Sequence, residues 1–322
     1  MTSFKANGHP LLIGSLPLSN HKEATDLVFE NTPDIPLWVQ LPAFRQEGMI
    51  NQFLPGLPGL TREGDKFFLD TGKPNFDETF LAFFEEFLEM SSPEADLGSS
   101  GFAFDRDTGR GFFEFLKQVD AREMDHIALK GQVTGPITFG TAVKDENGRA
   151  IFYNDQLRDA MVKKLSMNAR WQAREFGKRS KVPIIFMDEP ALAGFGTSAY
   201  ITITQKDVID CLEEIAQEIH AENGLAGVHV CANTEWDMLL SANIDIISFD
   251  AFSYFDRFIL YPDVIRSFLD KGGILAWGIV PTADAQTIGG QTVKGLVEKL
   301  EDQIVQVTDL GIPRKTLLEQ IF

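Results

Sequence analysis

Short apolar runs recur along the chain, and longer stretches with helical spacing of their apolar residues separate them. This alternation predicts repeated βα units around a parallel sheet, and the continuous apolar character of the runs indicates strands covered on both faces. The predicted strands are Leu11–Gly14, Pro36–Gln40, Ile127–Gln132, Pro183–Asp188, Gly227–Cys231, Ile244–Phe249, Ile274–Ile279 and the beginning of an eighth, Leu317–Phe322. We therefore predict the α/β class: a single (β/α)8 TIM-barrel domain spanning 1–322, with its last strand truncated in this sequence.

Helices are predicted where apolar residues follow the helical period between a capping residue and a glycine stop. The predicted helices are Asp77–Met90, Gly111–Arg122, Asp155–Lys178, Gln205–Glu222, Pro262–Asp270 and Thr292–Leu310. The segment 41–125 is too long for one βα connection. We interpret it as an insertion after the second strand that covers one end of the barrel.

Composition narrows the functional classes. The chain has 29 Lys and Arg against 47 Asp and Glu, a net charge of −18, which disfavours nucleic acids and anionic membranes as partners. Two cysteines, Cys211 and Cys231, make no disulfide framework, as expected in a reducing compartment. The sequence has no apolar run long enough for a transmembrane helix and no signal-like start, so we expect a soluble, cytoplasmic protein.

The segment His229-Val230-Cys231 ends a predicted strand. Side chains two residues apart share one face of a strand, so an imidazole and a thiol could converge on one ion, and zinc favours these donors. Asp250 follows the next strand and could add an oxygen ligand. The alternatives stay open at this point: a buried His and Cys without a metal, and a helix-capping or loop carboxylate at position 250.

Two further turns follow predicted strands. Asp188-Glu189-Pro190 places adjacent carboxylates where they could hold a ligand amine or tune a proton, and we predict both acids as catalytic. The alternative is an ordinary strand-to-loop turn. At Gly14-Ser15 the missing side chain would let backbone amides approach a bound carboxylate. In TIM barrels the βα loops carry the chemistry, so we expect these turns at one end of the molecule.

Together these pieces resemble the barrel of cobalamin-independent methionine synthase, within the uroporphyrinogen decarboxylase superfamily. The resemblance follows five segments in chain order: Ile13-Gly14-Ser15, Thr134-Gly135-Pro136-Ile137-Thr138, Asp188-Glu189-Pro190-Ala191-Leu192, His229-Val230-Cys231 and Asp245-Ile246-Ile247-Ser248-Phe249-Asp250. It implies a zinc-dependent methyltransferase with a thiol acceptor such as homocysteine or coenzyme M. His229, Cys231 and Asp250 are implied as zinc ligands, and Gly14, Ser15 and Asp188 as binding the acceptor.

The departures from this family concern the methyl donor. Ala142, Gly194 and about Val280 stand where the synthases have residues that contact folate or protonate it as it leaves. A leaving amine needs that proton, whereas Co(I) leaves without one. We therefore expect a methylated corrinoid, free or on a partner protein, rather than methyltetrahydrofolate. The family's last ligand, a cysteine after the eighth strand, is expected beyond Phe322.

Two other functions remain open from the sequence. A decarboxylase like uroporphyrinogen decarboxylase would need basic residues at the barrel mouth for substrate carboxylates, and no arginine cluster follows the first strand. The other possibility is an inactive barrel that binds a metal or corrinoid.

Overall fold

The computed structural model describes residues 4–122, 124–180, 182–197, 200 and 202–322. A small antiparallel hairpin, β1 (Leu60–Glu63) and β2 (Lys66–Leu69), lies in the long segment 41–125. The central sheet is parallel and has the strand order β3-β4-β5-β6-β7. These strands are Leu129–Thr134, Pro183–Asp188, Leu225–Val230, Ile246–Phe249 and Ile274–Trp277.

Both faces of the central sheet are buried, as the apolar runs predict. Along β4, Ile185 and Met187 belong to the large apolar cluster that includes the surrounding helices, whereas Ile184 and Phe186 belong to a second cluster on the opposite face. All six β4 residues are buried. The alternation follows from the two-residue period of a strand, and it confirms the predicted two-sided burial.

The prediction of a complete eight-stranded barrel is wrong. In the described part of the chain the parallel sheet has five strands. In the described residues, the stretches predicted as the first, second and eighth strands form isolated bridges instead of ladders: Ser15 with Gln40, Leu37 with Lys130, and Ala276 with Ile321. Scattered backbone hydrogen bonds accompany these bridges, such as the one of 2.9 Å from the N–H of Leu11 to the carbonyl oxygen of Phe322. The fold is therefore a partial α/β arrangement around a five-stranded parallel sheet.

Backbone chemistry explains why these apolar stretches do not form ladders. Pro10 and Pro17, on either side of the first stretch, lack the N–H group that a sheet hydrogen bond needs. Gly14 has φ +151°, a conformation that interrupts a regular strand. At the other end of the sequence, part of the predicted last strand is helical instead, in Arg314–Leu318. Apolar patterning indicates burial, but it does not distinguish a paired strand from extended chain.

The helices, in chain order, are α1 His21–Asn31, α2 Phe76–Met90, α3 Arg110–Ala121, α4 Pro136–Ala142, α5 Asp155–Gly177, α6 Gln205–Ala221, α7 Trp236–Ser241, α8 Ala251–Phe258, α9 Pro262–Asp270, α10 Ala285–Gly289, α11 Val293–Asp309 and α12 Arg314–Leu318. The six predicted helices are confirmed, with ends within about two residues. Thr204 caps α6 and forms a capping box with Asp207. Within the described residues, no helix has the length and apolarity to span a bilayer.

Helix α5 fixes the long segment 41–125 to the sheet. Lys164 and Asn168 donate hydrogen bonds to the carbonyl oxygens of Gly101 and Phe102, at 2.6 and 2.8 Å. On the sheet side, Thr134 donates to the carbonyl oxygen of Met49. The start of this segment therefore lies beside the carboxyl end of β3. The interpretation of residues 1–322 as one domain with an insertion stays a prediction.

Candidate active site at the carboxyl edge of the sheet

Polar side chains form a row across the carboxyl ends of the central strands. Thr134, Asp188, His229 and Ser248 are register partners from β3 to β6. Neighbouring parallel strands lie about 4.8 Å apart and partners in register share a face, so these side chains are adjacent. The sequence predicts a site at these strand ends, and its function stays a prediction. Thr134 and Ser248 were not among the predicted site residues.

Asp188 is the most unusual member of the row. Its side chain is buried, and its Oδ1 atom has no hydrogen-bond partner in the described part of the chain. Burial raises the pKa of Asp188 to about 6, although the nearby charge of Lys130 acts in the opposite direction. Buried polar atoms are usually hydrogen-bonded, so the unpartnered Oδ1 atom makes Asp188 a candidate ligand-binding residue.

Lys130 provides a cation beneath this row. It is 1% exposed, and its Nζ donates to the carbonyl oxygen of Ile13 and lies 3.4 Å from Oε1 of Gln132. Burial lowers the pKa of Lys130 to about 8, while Asp188 raises it. Sequence reasoning missed Lys130. The available signal was a lysine inside an otherwise apolar run, at a position that alternates with Gln132 and Thr134.

His229 is held in a fixed orientation. Its Nδ1 shares a hydrogen bond of 2.9 Å with Oγ of Ser248. Burial, assisted by the charge of Lys130, lowers the pKa of His229 to about 4, so the imidazole is neutral at pH 7. Nε2 makes no hydrogen bond with any described residue. In the tautomer in which Nδ1 donates to Ser248, Nε2 can accept a proton or a metal.

Cys231 follows the last residue of β5 and is exposed, unlike Cys211. Its pKa is raised, chiefly by partial desolvation and further by the negative charges of Asp188 and Asp250. Asp250 caps helix α8, because its Oδ1 accepts a hydrogen bond of 2.9 Å from the backbone of Ser253. The capping alternative for Asp250 is thus realised, and it occupies one oxygen of this predicted ligand.

Glu189 follows the last residue of β4, and both of its carboxylate oxygens accept hydrogen bonds. Oε1 accepts from the backbone N–H of Ile137, and Oε2 accepts from the backbone and hydroxyl of Thr138, at 2.6–2.8 Å. These donors are at the start of α4, so Glu189 caps this helix. Burial raises the pKa of Glu189 to about 7, while the three hydrogen bonds favour the carboxylate. These contacts indicate a structural acid, and its predicted catalytic role stays a prediction.

Two glycines allow close packing at this edge. A Cβ atom at Gly135 would overlap the side chain of Glu189, which explains the glycine before Pro136. A Cβ atom at Gly14 would lie 2.9 Å from Nε2 of Gln132, so Gly14 lets its turn approach β3. Ser15 is exposed, and its backbone is bridged to Gln40. The predicted role of Gly14 and Ser15 in acceptor binding stays a prediction.

The cavity beside this row of side chains is small. A cavity of about 40 Å³ is lined by residues that include Lys130, Asp188, His229, Ser248 and Trp277. Of the described residues lining it, Lys130 is the only lysine or arginine. Among all described residues, no three His, Cys, Asp or Glu side chains form a group that could hold a metal ion. The predicted zinc set of His229, Cys231 and Asp250 therefore stays a prediction.

The fold and this edge define an α/β protein with a candidate polar site at the carboxyl ends of a parallel sheet. Comparison with known proteins adds little to this description of the fold and the site. No protein-family model and no curated protein matches the sequence. One similar solved structure is a protein from Listeria monocytogenes provisionally named a vitamin-B12-independent methionine synthase. It is 13% identical with a TM-score of 0.41, over 64% of this chain and 61% of that one. A likeness this distant supports no argument about function.

Proposed function

We propose that the chain transfers a methyl group to a small thiol that also carries an ammonium group, as homocysteine does. The observation that supports this proposal is the buried Oδ1 atom of Asp188, which lacks a partner among the described residues. It lies in register beside His229, and Cys231 follows two residues further along. The proposed binding site for the ammonium group would thus adjoin the pair of residues that the sequence singles out for thiol chemistry.

Asp188 is the residue that would bind the ammonium group. An unpaired buried carboxyl oxygen costs free energy, and a charged N–H donor from a ligand would remove that cost. Lys130 favours the ionised form of Asp188 but does not hydrogen-bond to it in the structure. The charge of Lys130 would therefore keep Asp188 ionised, with its Oδ1 atom available to a ligand.

His229 and Cys231 are proposed as zinc donors. The neutral imidazole, oriented by Ser248, has the protonation state and the outer-shell hydrogen bond typical of a metal-binding histidine. When bound, zinc lowers the pKa of a thiol so that a thiolate exists at neutral pH. Two donors alone do not complete a zinc site, so both the zinc ion and the role of Asp250 belong to the proposal.

The methyl donor we propose is a methylated corrinoid. The support comes from the sequence: Ala142, Gly194 and Val280 offer no side chain that could stack on folate, bind it or protonate it. The decarboxylase alternative is less well supported, because Lys130 is the only lysine or arginine among the described residues that line the cavity at the sheet edge.

The test is methyl transfer by protein purified without chelator, with methylcobalamin as donor and either homocysteine or 4-mercaptobutyrate as acceptor. The two acceptors differ in the amino group. We expect Asp188→Asn to raise KM for homocysteine about tenfold or more while changing KM for 4-mercaptobutyrate little. Asp263→Asn, on the surface of α9, is the matched control and should leave both values unchanged.

Metal content provides a second measurement. The proposal predicts about one zinc per chain, and loss of that zinc in His229→Gln. Equal effects of Asp188→Asn on both acceptors would contradict ammonium binding. Absence of methyl transfer from any donor would contradict the function itself, whereas turnover with methyltetrahydrofolate alone would contradict only the corrinoid donor.

A further inference from the structure

A second cavity, of about 230 Å³, lies in the segment 41–125 and shares no residue with the candidate active site. Three stretches of chain enclose it: the loop 45–55, the β1–β2 hairpin, and the turn 105–108. Because separate stretches converge on it, the cavity is a product of the tertiary fold and not a crease within one loop.

The lining of this cavity, which we call the hairpin cavity, has an apolar part suited to a ring. Leu54, Pro55, Leu60 and Phe67 contribute apolar surface. Leu54 is almost fully buried, whereas Leu60 and Phe67 are only partly covered. An aromatic ring placed against these side chains would bury apolar area and would share the ring of Phe67 with Arg62, whose Cζ atom lies 5.6 Å from the ring centroid.

Among the described residues that line the hairpin cavity, some charged side chains form ion pairs within the protein and others do not. Arg45 is paired with Asp65, and Asp107 is paired with Arg110. Arg62 is different: its Nε donates to the carbonyl oxygen of Gly64 at 3.0 Å, and no described carboxylate forms an ion pair with it. The terminal nitrogens of the Arg62 guanidinium are therefore free to bind an anionic group in a forked geometry.

Asp105 is an acidic residue of the same cavity that forms no ion pair with a described residue. Its Oδ1 accepts hydrogen bonds from the backbone of Asp107 and from the backbone and hydroxyl of Thr108, at 2.7–2.9 Å. These contacts fix the orientation of the carboxylate, and its second oxygen makes no hydrogen bond to a described residue. A fixed acceptor of this kind suits an ammonium or N–H group of a ligand.

We propose that the hairpin cavity binds a small aromatic zwitterion, with its ring on Leu60 and Phe67, its anionic group at Arg62 and its ammonium group at Asp105. An α-amino acid with an aromatic side chain is the simplest molecule of this class. Because Arg62 and Asp105 form no ion pair with a described residue and flank an apolar surface, we expect a zwitterion to match the cavity better than a simple anion or a simple amine. This inference does not depend on the proposed methyl transfer.

The experiment is calorimetric titration of the whole chain with four probes that remove one feature at a time. L-phenylalanine has the ring and both charges, phenethylamine lacks the carboxylate, 3-phenylpropionate lacks the amine, and L-alanine lacks the ring. We expect L-phenylalanine to bind with Kd at or below about 1 mM and each of the other probes to bind about tenfold or more weakly.

The matched variants are Arg62→Gln and Lys66→Gln, which remove the same charge from exposed positions of one hairpin. Arg62→Gln should weaken L-phenylalanine binding about tenfold or more, and Lys66→Gln less than about twofold. Thermal unfolding of both variants checks that the hairpin is intact. Equal binding of L-phenylalanine and phenethylamine by the unaltered protein would overturn the proposal even if Arg62→Gln failed to fold. So would the absence of L-phenylalanine binding.

Discussion

Substitution of Glu189 by glutamine tests whether this buried acid is a helix cap or a chemical group. The side chain is 0% exposed, and each of its oxygens accepts at least one backbone N–H from the start of α4. Glutamine has the same shape but replaces one oxygen with an NH2 group. One backbone N–H of α4 would then face another donor instead of an acceptor.

The magnitude follows from these contacts. A buried donor without its partner costs about 1–3 kcal/mol, and the remaining hydrogen bonds lose the strength that the carboxylate charge gives them. We expect Glu189→Gln to lower the free energy of unfolding by about 3 kcal/mol, since both contributions act together. In urea this corresponds to a decrease of about 1 M in the unfolding midpoint.

The assay is urea unfolding followed by circular dichroism, with Glu298→Gln as control. Glu298 lies on an exposed face of α11, where the same change should alter the stability by less than about 0.5 kcal/mol. A Glu189→Gln protein as stable as the control would refute the capping argument. If such a protein also lost methyl transfer, Glu189 would be a catalytic acid, as the sequence predicts.

Three further predictions concern other parts of the fold. The hydrogen bond to Asp245 raises the pKa of His220, so the stabilising charge of His220 is present below pH about 6.5 and is lost as pH rises through the raised pKa. His220→Gln should therefore lower the free energy of unfolding more at pH 5.5 than at pH 9. Equal decreases at the two pH values in urea titrations would contradict this. Gly111→Ala should cost about 3 kcal/mol despite its better helix propensity, because the new Cβ would overlap the carbonyl oxygen of Val39; thermal unfolding measures this, and an unchanged midpoint would show that α3 can shift. Iodoacetamide should alkylate exposed Cys231 but not Cys211, whose pKa burial raises to about 12; peptide mass spectrometry of the native protein checks this, with urea-unfolded protein as the control, and labelling of Cys211 in the native state would contradict it.

Much of the candidate site was accessible from local sequence. Asp188 and His229 are visible as polar residues at the ends of apolar runs, and the structure places them side by side in register. Parallel strands bring their carboxyl ends to one edge, so position along the chain predicts position in space. Ser248 lies within the segment 245–250, but local sequence does not indicate its contact with His229, because that contact depends on the register between β5 and β6.

Lys130 and Glu189 show where local reasoning fails. A lysine within an apolar run has no local signature of its partners, which come from Ile13 and from the neighbouring strand. Glu189 reads as one of two equivalent acids in the sequence. Only the position of α4 makes it a cap, while Asp188 keeps an oxygen without a partner among the described residues.

The sequence by itself located the five parallel strands, among eight predicted ones, and six of the helices, because burial on both faces requires continuous apolar runs and helices carry their own caps and period. Tertiary structure decided whether the sheet continues beyond β3 and β7. Pro10, Pro17 and Gly14 make a backbone that touches its neighbours without forming a ladder, and pairing depends on geometry between distant segments. The same distance in sequence hid the hairpin cavity, whose lining comes together only when three separate stretches fold onto one another.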